Sequence, residues 1–104
     1  PAVTALCEPV VVGSRALLAR VAQRLGLPLP ARVDEPPAPG FDPAAVEPGR
    51  IAAANGAAAA AWIDAAIAGC RAGRYAAMTT CPIHKQALHL AGVPFDTAWV
   101  VASL

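Results

Sequence analysis

Between residues 78 and 85 the sequence reads MTTCPIHK. Thr79 and Thr80 bring hydroxyls, Cys81 a thiol, His84 an imidazole and Lys85 an ammonium, in a chain otherwise rich in alanine. Placed where a strand runs into a helix, these types suit a small anion. The first N–H groups of a helix are unpaired and carry partial positive charge. The threonine hydroxyls add donors, and Lys85 adds a full charge for a phosphate or carboxylate. His84 can donate, accept or bind a metal. Plainer roles stand beside these: Thr79 and Thr80 as β-branched strand residues, Lys85 as a solvated helix residue, and His84 as a surface histidine. His89, one turn further on, reads as an ordinary helix residue. Cys81 and His84 are near enough in sequence for a nucleophile with its base or for half a zinc site. Zinc needs further ligands, however, and Cys7, Cys70 and His89 show no paired spacing. The expectation for Cys81 is a partly buried small residue. Asp34, Asp42, Asp64 and Asp96 form no evident acid/base pair, and GxGxxG, P-loop, GxSxG and HExxH patterns are absent.

The surrounding elements must place these residues. The β-branched run EPVVVG (8–13) predicts a strand ended by Gly13. Ser14 offers an N-cap to RALLARVAQRLG, whose Leu17, Leu18, Val21 and Leu25 share a face and whose Gly26 stops it. LPARV predicts a second strand, held to an edge or a beginning by Pro28 and Pro30. From Asp34 to Gly49 five prolines predict a loop or extended arm. A long helix is expected over about 50–72, with Trp62 as its large anchor and Asn55-Gly56 as a weak point and local bend. RYAAMTT then reads as a strand, PIHKQALHLAG as a short helix with Pro82 in its first turn, and AWVVASL as a last strand. The alternation predicts an α/β fold: a mostly parallel sheet with helices on both faces. In such sheets ligands bind at the carboxyl ends of the strands, which places Thr79 to Lys85 at a strand-to-helix junction.

Composition narrows the function classes. A chain of 104 residues forms one domain at most, or part of one. A net charge of +1, with no basic run, argues against nucleic acid as a partner. Asp64 interrupts the longest apolar stretch, so no membrane span is expected. No secretory signal is visible, and three scattered cysteines fit a reduced, cytoplasmic setting. The opening PAVTALC reads like the last turns of a helix, and the chain is expected to be part of a larger one.

GRYAAMTTCPIHKQALHLAGVPF resembles a segment of the 4-hydroxythreonine-4-phosphate dehydrogenase (PdxA) family of pyridoxal phosphate biosynthesis. There a strand ends in Thr-x-Pro-x-x-Lys, followed by a short helix and an Ala-Gly-hydrophobic-Pro-aromatic turn. Here those residues are Thr80, Pro82 and Lys85, then Ala91, Gly92, Val93, Pro94 and Phe95. PAVTALCEPVVVGSRALLARVAQRLGLPL is similar to the family's first crossover, and AANGAAAAAWIDAAIAGCRAG to the helix before the motif strand.

The resemblance implies an isocitrate/isopropylmalate dehydrogenase-like α/β architecture and a homodimer. It also implies NAD and a divalent metal (zinc, magnesium or cobalt), used in oxidative decarboxylation of a phosphorylated hydroxy acid. Related members act on sugar-acid phosphates or dihydrodiols. Thr80, His84 and Lys85 are the implied substrate-binding residues. Two family features are missing: a Gly-Asp-Pro-Ala-Gly-Ile-Gly-Pro-Glu stretch at the start, and a Gly-His-Thr-Glu motif after the Pro-aromatic turn. An omission between Asp96 and Thr97 is therefore expected. The family's metal-binding histidines and NAD contacts fall in a later portion, so none transfers to a residue here. A non-catalytic α/β module that binds an anion or a partner is the alternative.

Overall fold

The computed structural model describes residues 3–93. Its element order is β1 (Val11–Val12), α1 (Arg15–Leu25), β2 (Val33–Asp34), a 3₁₀ turn (Pro43–Ala45), α2 (Ala53–Arg71) and α3 (Lys85–Leu90). The strands β1 and β2 pair in parallel with Val11 opposite Val33 and Val12 opposite Asp34, so β1-α1-β2 is one crossover unit. Val11 N–H donates to the Arg32 carbonyl at 3.1 Å and Gly13 N–H to the Asp34 carbonyl at 3.0 Å. The fold class is α/β, with a small parallel sheet of two strands and helices.

Local signals place α1 well. Ser14 Oγ accepts the Leu17 N–H at 3.2 Å, and Gly26 takes the left-handed conformation (φ 68°) that ends the helix. Ser14→Ala is expected to cost about 1 kcal/mol, read as a lower urea midpoint with an unchanged slope. The apolar face of α1 is less covered than its periodicity suggests: Leu17 and Leu18 are half-buried, while Val21 and Leu25 are exposed.

The core sits between α2 and α3. Ala58, Ala60, Ile63, Ala66 and Ile67 of α2 are buried, as are Ala87 and Leu88 of α3. Trp62 is half-buried and meets Phe41 edge-on with ring centroids 5.2 Å apart, which ties the proline-rich 34–49 segment to α2. Gly56, expected as a weak point of the helix, has a packing role. It lies inside α2 and is buried, and a Cβ there would overlap the Ala87 carbonyl and reach 2.9 Å from Leu88 N. Absence of a side chain lets the backbone of α3 lie directly on α2.

Four other expectations change. The second strand begins after its prolines, at Val33, because Pro30 cannot donate to a ladder. RYAAMTT forms no strand: extended backbone becomes a strand only through a hydrogen-bonded neighbour, and none pairs with it among the described residues. Instead Arg74 N–H and Tyr75 N–H both turn back to the Gly69 carbonyl, at 2.9 and 3.3 Å. The short helix starts at Lys85, so Pro82 lies ahead of it and not in its first turn. PAVTALC yields a single turn closed by Leu6 N–H and Cys7 N–H on the Val3 carbonyl, both at 3.0 Å. AWVVASL and the Asp96–Thr97 junction lie outside the described residues. Among those residues no helix is long and apolar enough to cross a membrane.

Candidate functional site

At their carboxyl ends β1 and β2 border a shallow, solvent-open hollow of about 370 Å³, lined by Val12, Val33, Asp34, Glu35, Arg74 and Tyr75 among others. This is where ligands of parallel α/β sheets bind, outside the strand ends. Both carboxylates of this lining are already bonded within the protein. Glu35 Oε1 accepts the Arg15 N–H at 2.6 Å, setting a carboxylate on the positive end of α1. Tyr75 Oη donates to Asp34 Oδ2. That bond to a carboxylate, with partial burial behind it, raises the phenol's pKa above the ordinary tyrosine value. Arg32 bridges Glu8 at 3.4 Å and Asp34 at 3.7 Å, while the Arg74 guanidinium stands 5.9 Å from the Tyr75 ring centroid.

Tyr75 and Asp34 were not legible as partners in the sequence, where Asp34 opens a loop and Tyr75 begins a strand. The available signal was that Tyr75 is the single tyrosine of the chain and precedes the Thr80–Lys85 pattern by a few residues.

The residues expected to carry the site lie elsewhere. Thr80 is exposed, in the stretch ahead of α3 that belongs to no helix or strand. His84 is the N-cap of α3: its Nδ1 accepts the Ala87 N–H at 3.4 Å, and its carbonyl accepts the Leu88 N–H at 3.3 Å. Lys85 is the first helical residue, exposed, with no carboxylate partner among the described residues. His84 and Lys85 are therefore neighbours on one cap. Thr80 lies several residues upstream because the helix starts later than its proline suggested. One first-turn amide is already taken by the His84 ring, which removes it from any anion. Cys81 is exposed and not the partly buried residue expected; Cys7 is exposed too, and Cys70 is half-buried. Among the described residues no three His, Cys, Asp or Glu side chains gather closely enough to hold a metal ion.

Comparison with known proteins gives this arrangement a family. The family described as pyridoxal phosphate biosynthetic protein PdxA matches residues 5–100. A 4-hydroxythreonine-4-phosphate dehydrogenase of Thioalkalivibrio sulfidiphilus is 38% identical over 101 residues, covering 85% of this chain and 30% of its own. The enzyme of the same name from Chromobacterium violaceum is 43% identical over 96 residues, with 83% and 29% covered. A third, from Cupriavidus pinatubonensis, is 50% identical over 56 residues, 49% of this chain and 16% of its own. The chain thus spans about 30% of the length of the first of these relatives. No solved structure matches. With most of its length matched, including the Thr80, Pro82 and Lys85 pattern, the chain belongs to the PdxA family.

Proposed function

We propose that this chain forms part of a metal- and NAD-dependent dehydrogenase of pyridoxal phosphate biosynthesis. Its reaction is oxidative decarboxylation of 4-hydroxythreonine 4-phosphate or a related phosphorylated hydroxy acid. The supporting observation is the family match over residues 5–100, which contains the Thr80-x-Pro82-x-x-Lys85 pattern. In this reading β1-α1-β2 is one crossover of a larger isocitrate/isopropylmalate dehydrogenase-like sheet, and the working protein is a cytoplasmic homodimer.

The chain's own contribution is substrate binding. Lys85 offers an ammonium to the substrate phosphate, and its freedom from carboxylate partners among the described residues leaves that charge available. Thr80 adds a hydroxyl donor. With Nδ1 accepting from Ala87, a neutral His84 carries its proton on Nε2, which then points a donor away from the helix cap. The described residues do not fit a metal centre, since they gather no three suitable ligands, so no step is assigned to a metal held by them.

The test is an assay of the complete protein that contains this chain, with 4-hydroxythreonine 4-phosphate, NAD and zinc, magnesium or cobalt in turn. Reduced nicotinamide and carbon dioxide are expected; neither product with any of the three metals would remove the reading. In the active protein Lys85→Met is expected to lower kcat/KM by roughly 10- to 100-fold, the weight of a hydrogen bond made by a charged group. Unchanged kinetics would take Lys85 out of the site.

A further inference from the structure

We infer that Tyr75 is a positioning residue that fastens the segment bearing Thr80, His84 and Lys85 to the sheet and to α2, an inference that rests on the substrate-binding reading above. Three contacts carry it. The hydroxyl is bonded to Asp34, the last residue of β2. The ring lies against Gly69 of α2, where a Cβ would overlap two ring carbons and come within 3.3 Å of Cζ. The Tyr75 N–H is bonded to the Gly69 carbonyl.

The segment's other end is held in the same manner. Ala87 and Leu88 are buried against α2 where Gly56 leaves room for their backbone. Gly69 and Gly56 stand about 20 Å apart along α2, at about 1.5 Å per residue. Residues 76–83 are strung between these two notches without a ladder of their own. Their course is set by where the two ends are pinned, and Tyr75 is the pin nearer to Thr80. Its ionisable and charged neighbours are Asp34, Arg32 and Arg74.

The single tyrosine makes the fastening directly readable. In the folded chain the near-ultraviolet tyrosinate band should appear only above the ordinary phenol value of about 10 and return toward it in Asp34→Asn. The sign follows from the raised folded value. Stability from this bond is fully present below about pH 10 and is lost as pH climbs through that raised value.

The deciding experiment uses the whole chain, Tyr75→Phe and Lys85→Met, with amide hydrogen exchange and binding of inorganic phosphate as readouts. Tyr75→Phe is expected to speed exchange of the Arg74 and Tyr75 amides, which are bonded to the Gly69 carbonyl, roughly five- to tenfold, the equilibrium weight of one hydrogen bond, and to leave the buried turns of α2 unchanged. It should weaken phosphate binding by a similar factor, with Lys85→Met weakening it more. Unchanged exchange at the Arg74 and Tyr75 amides, or equal loosening of α2, would overturn the positioning role. If Lys85→Met weakens phosphate and Tyr75→Phe does not, the site stands and the positioning role falls. If the unaltered chain binds no phosphate, the substrate-binding reading falls and takes the positioning role with it.

Discussion

Gly56→Ala is expected to destabilise the protein by about 2–4 kcal/mol, although alanine is the better helix former. Two effects oppose each other at this position. In an exposed helix interior the substitution would gain close to 1 kcal/mol from propensity. Gly56 is buried, however, and the added methyl would meet the Ala87 carbonyl and the Leu88 nitrogen, which are backbone atoms. Backbone cannot swing aside as a long side chain can. The helices must separate, and separation uncovers Ala87 and Leu88, both buried in the native packing. Burial of one leucine alone is worth about 2 kcal/mol, so overlap outweighs propensity. Thermal unfolding reads the balance: a fall of roughly 10 °C or more is expected for a chain of this size. A midpoint equal to or above that of the unaltered chain would mean that α3 does not rest on Gly56.

That position also separates what can be read from the sequence from what cannot. Ser14, the face of α1 and Gly26 are signals within one turn of the structure they specify, and α1 forms where they place it. The span of α2 follows equally from its run of alanines and isoleucines. Gly56 lies in the same helix, yet its role depends on the arrival of α3 from about thirty residues away. Local propensity reads it as a weakness; packing makes it the contact point. The Tyr75–Asp34 bond spans 41 residues and has no local signature at all. RYAAMTT shows the reverse error, because its β-branched and aromatic residues fit a strand, but strand formation needs a neighbour in the right register. The Thr80, Pro82 and Lys85 pattern marks the family from sequence alone, while its geometry depends on where the helix starts. His84 moves that start, since a side chain that accepts from the first turn makes a better boundary than Pro82 two residues earlier.

Leu88→Ala is expected to cost about 3–4 kcal/mol, within the range for truncating a buried leucine. Leu88 is the largest fully buried side chain of the described residues, at 0% exposed. A helix of six residues is too short to persist in water on its own, so α3 exists because Ala87 and Leu88 dock on α2. Leu90, in the same helix, is 57% exposed and provides the control: Leu90→Ala should change stability by less than about 0.5 kcal/mol. The pair separates docking from helix propensity, because both variants make the same chemical change in the same helix. It also reaches the site. His84 caps α3 and Lys85 begins it, so undocking α3 frees both from their common frame. Phosphate binding should therefore fall in Leu88→Ala and hold in Leu90→Ala, measured at a temperature where both chains remain folded. Equal losses of stability in the two variants would show that α3 is not held by its buried face. An unchanged phosphate affinity in Leu88→Ala would show that the Lys85 ammonium does its work without the helix that carries it.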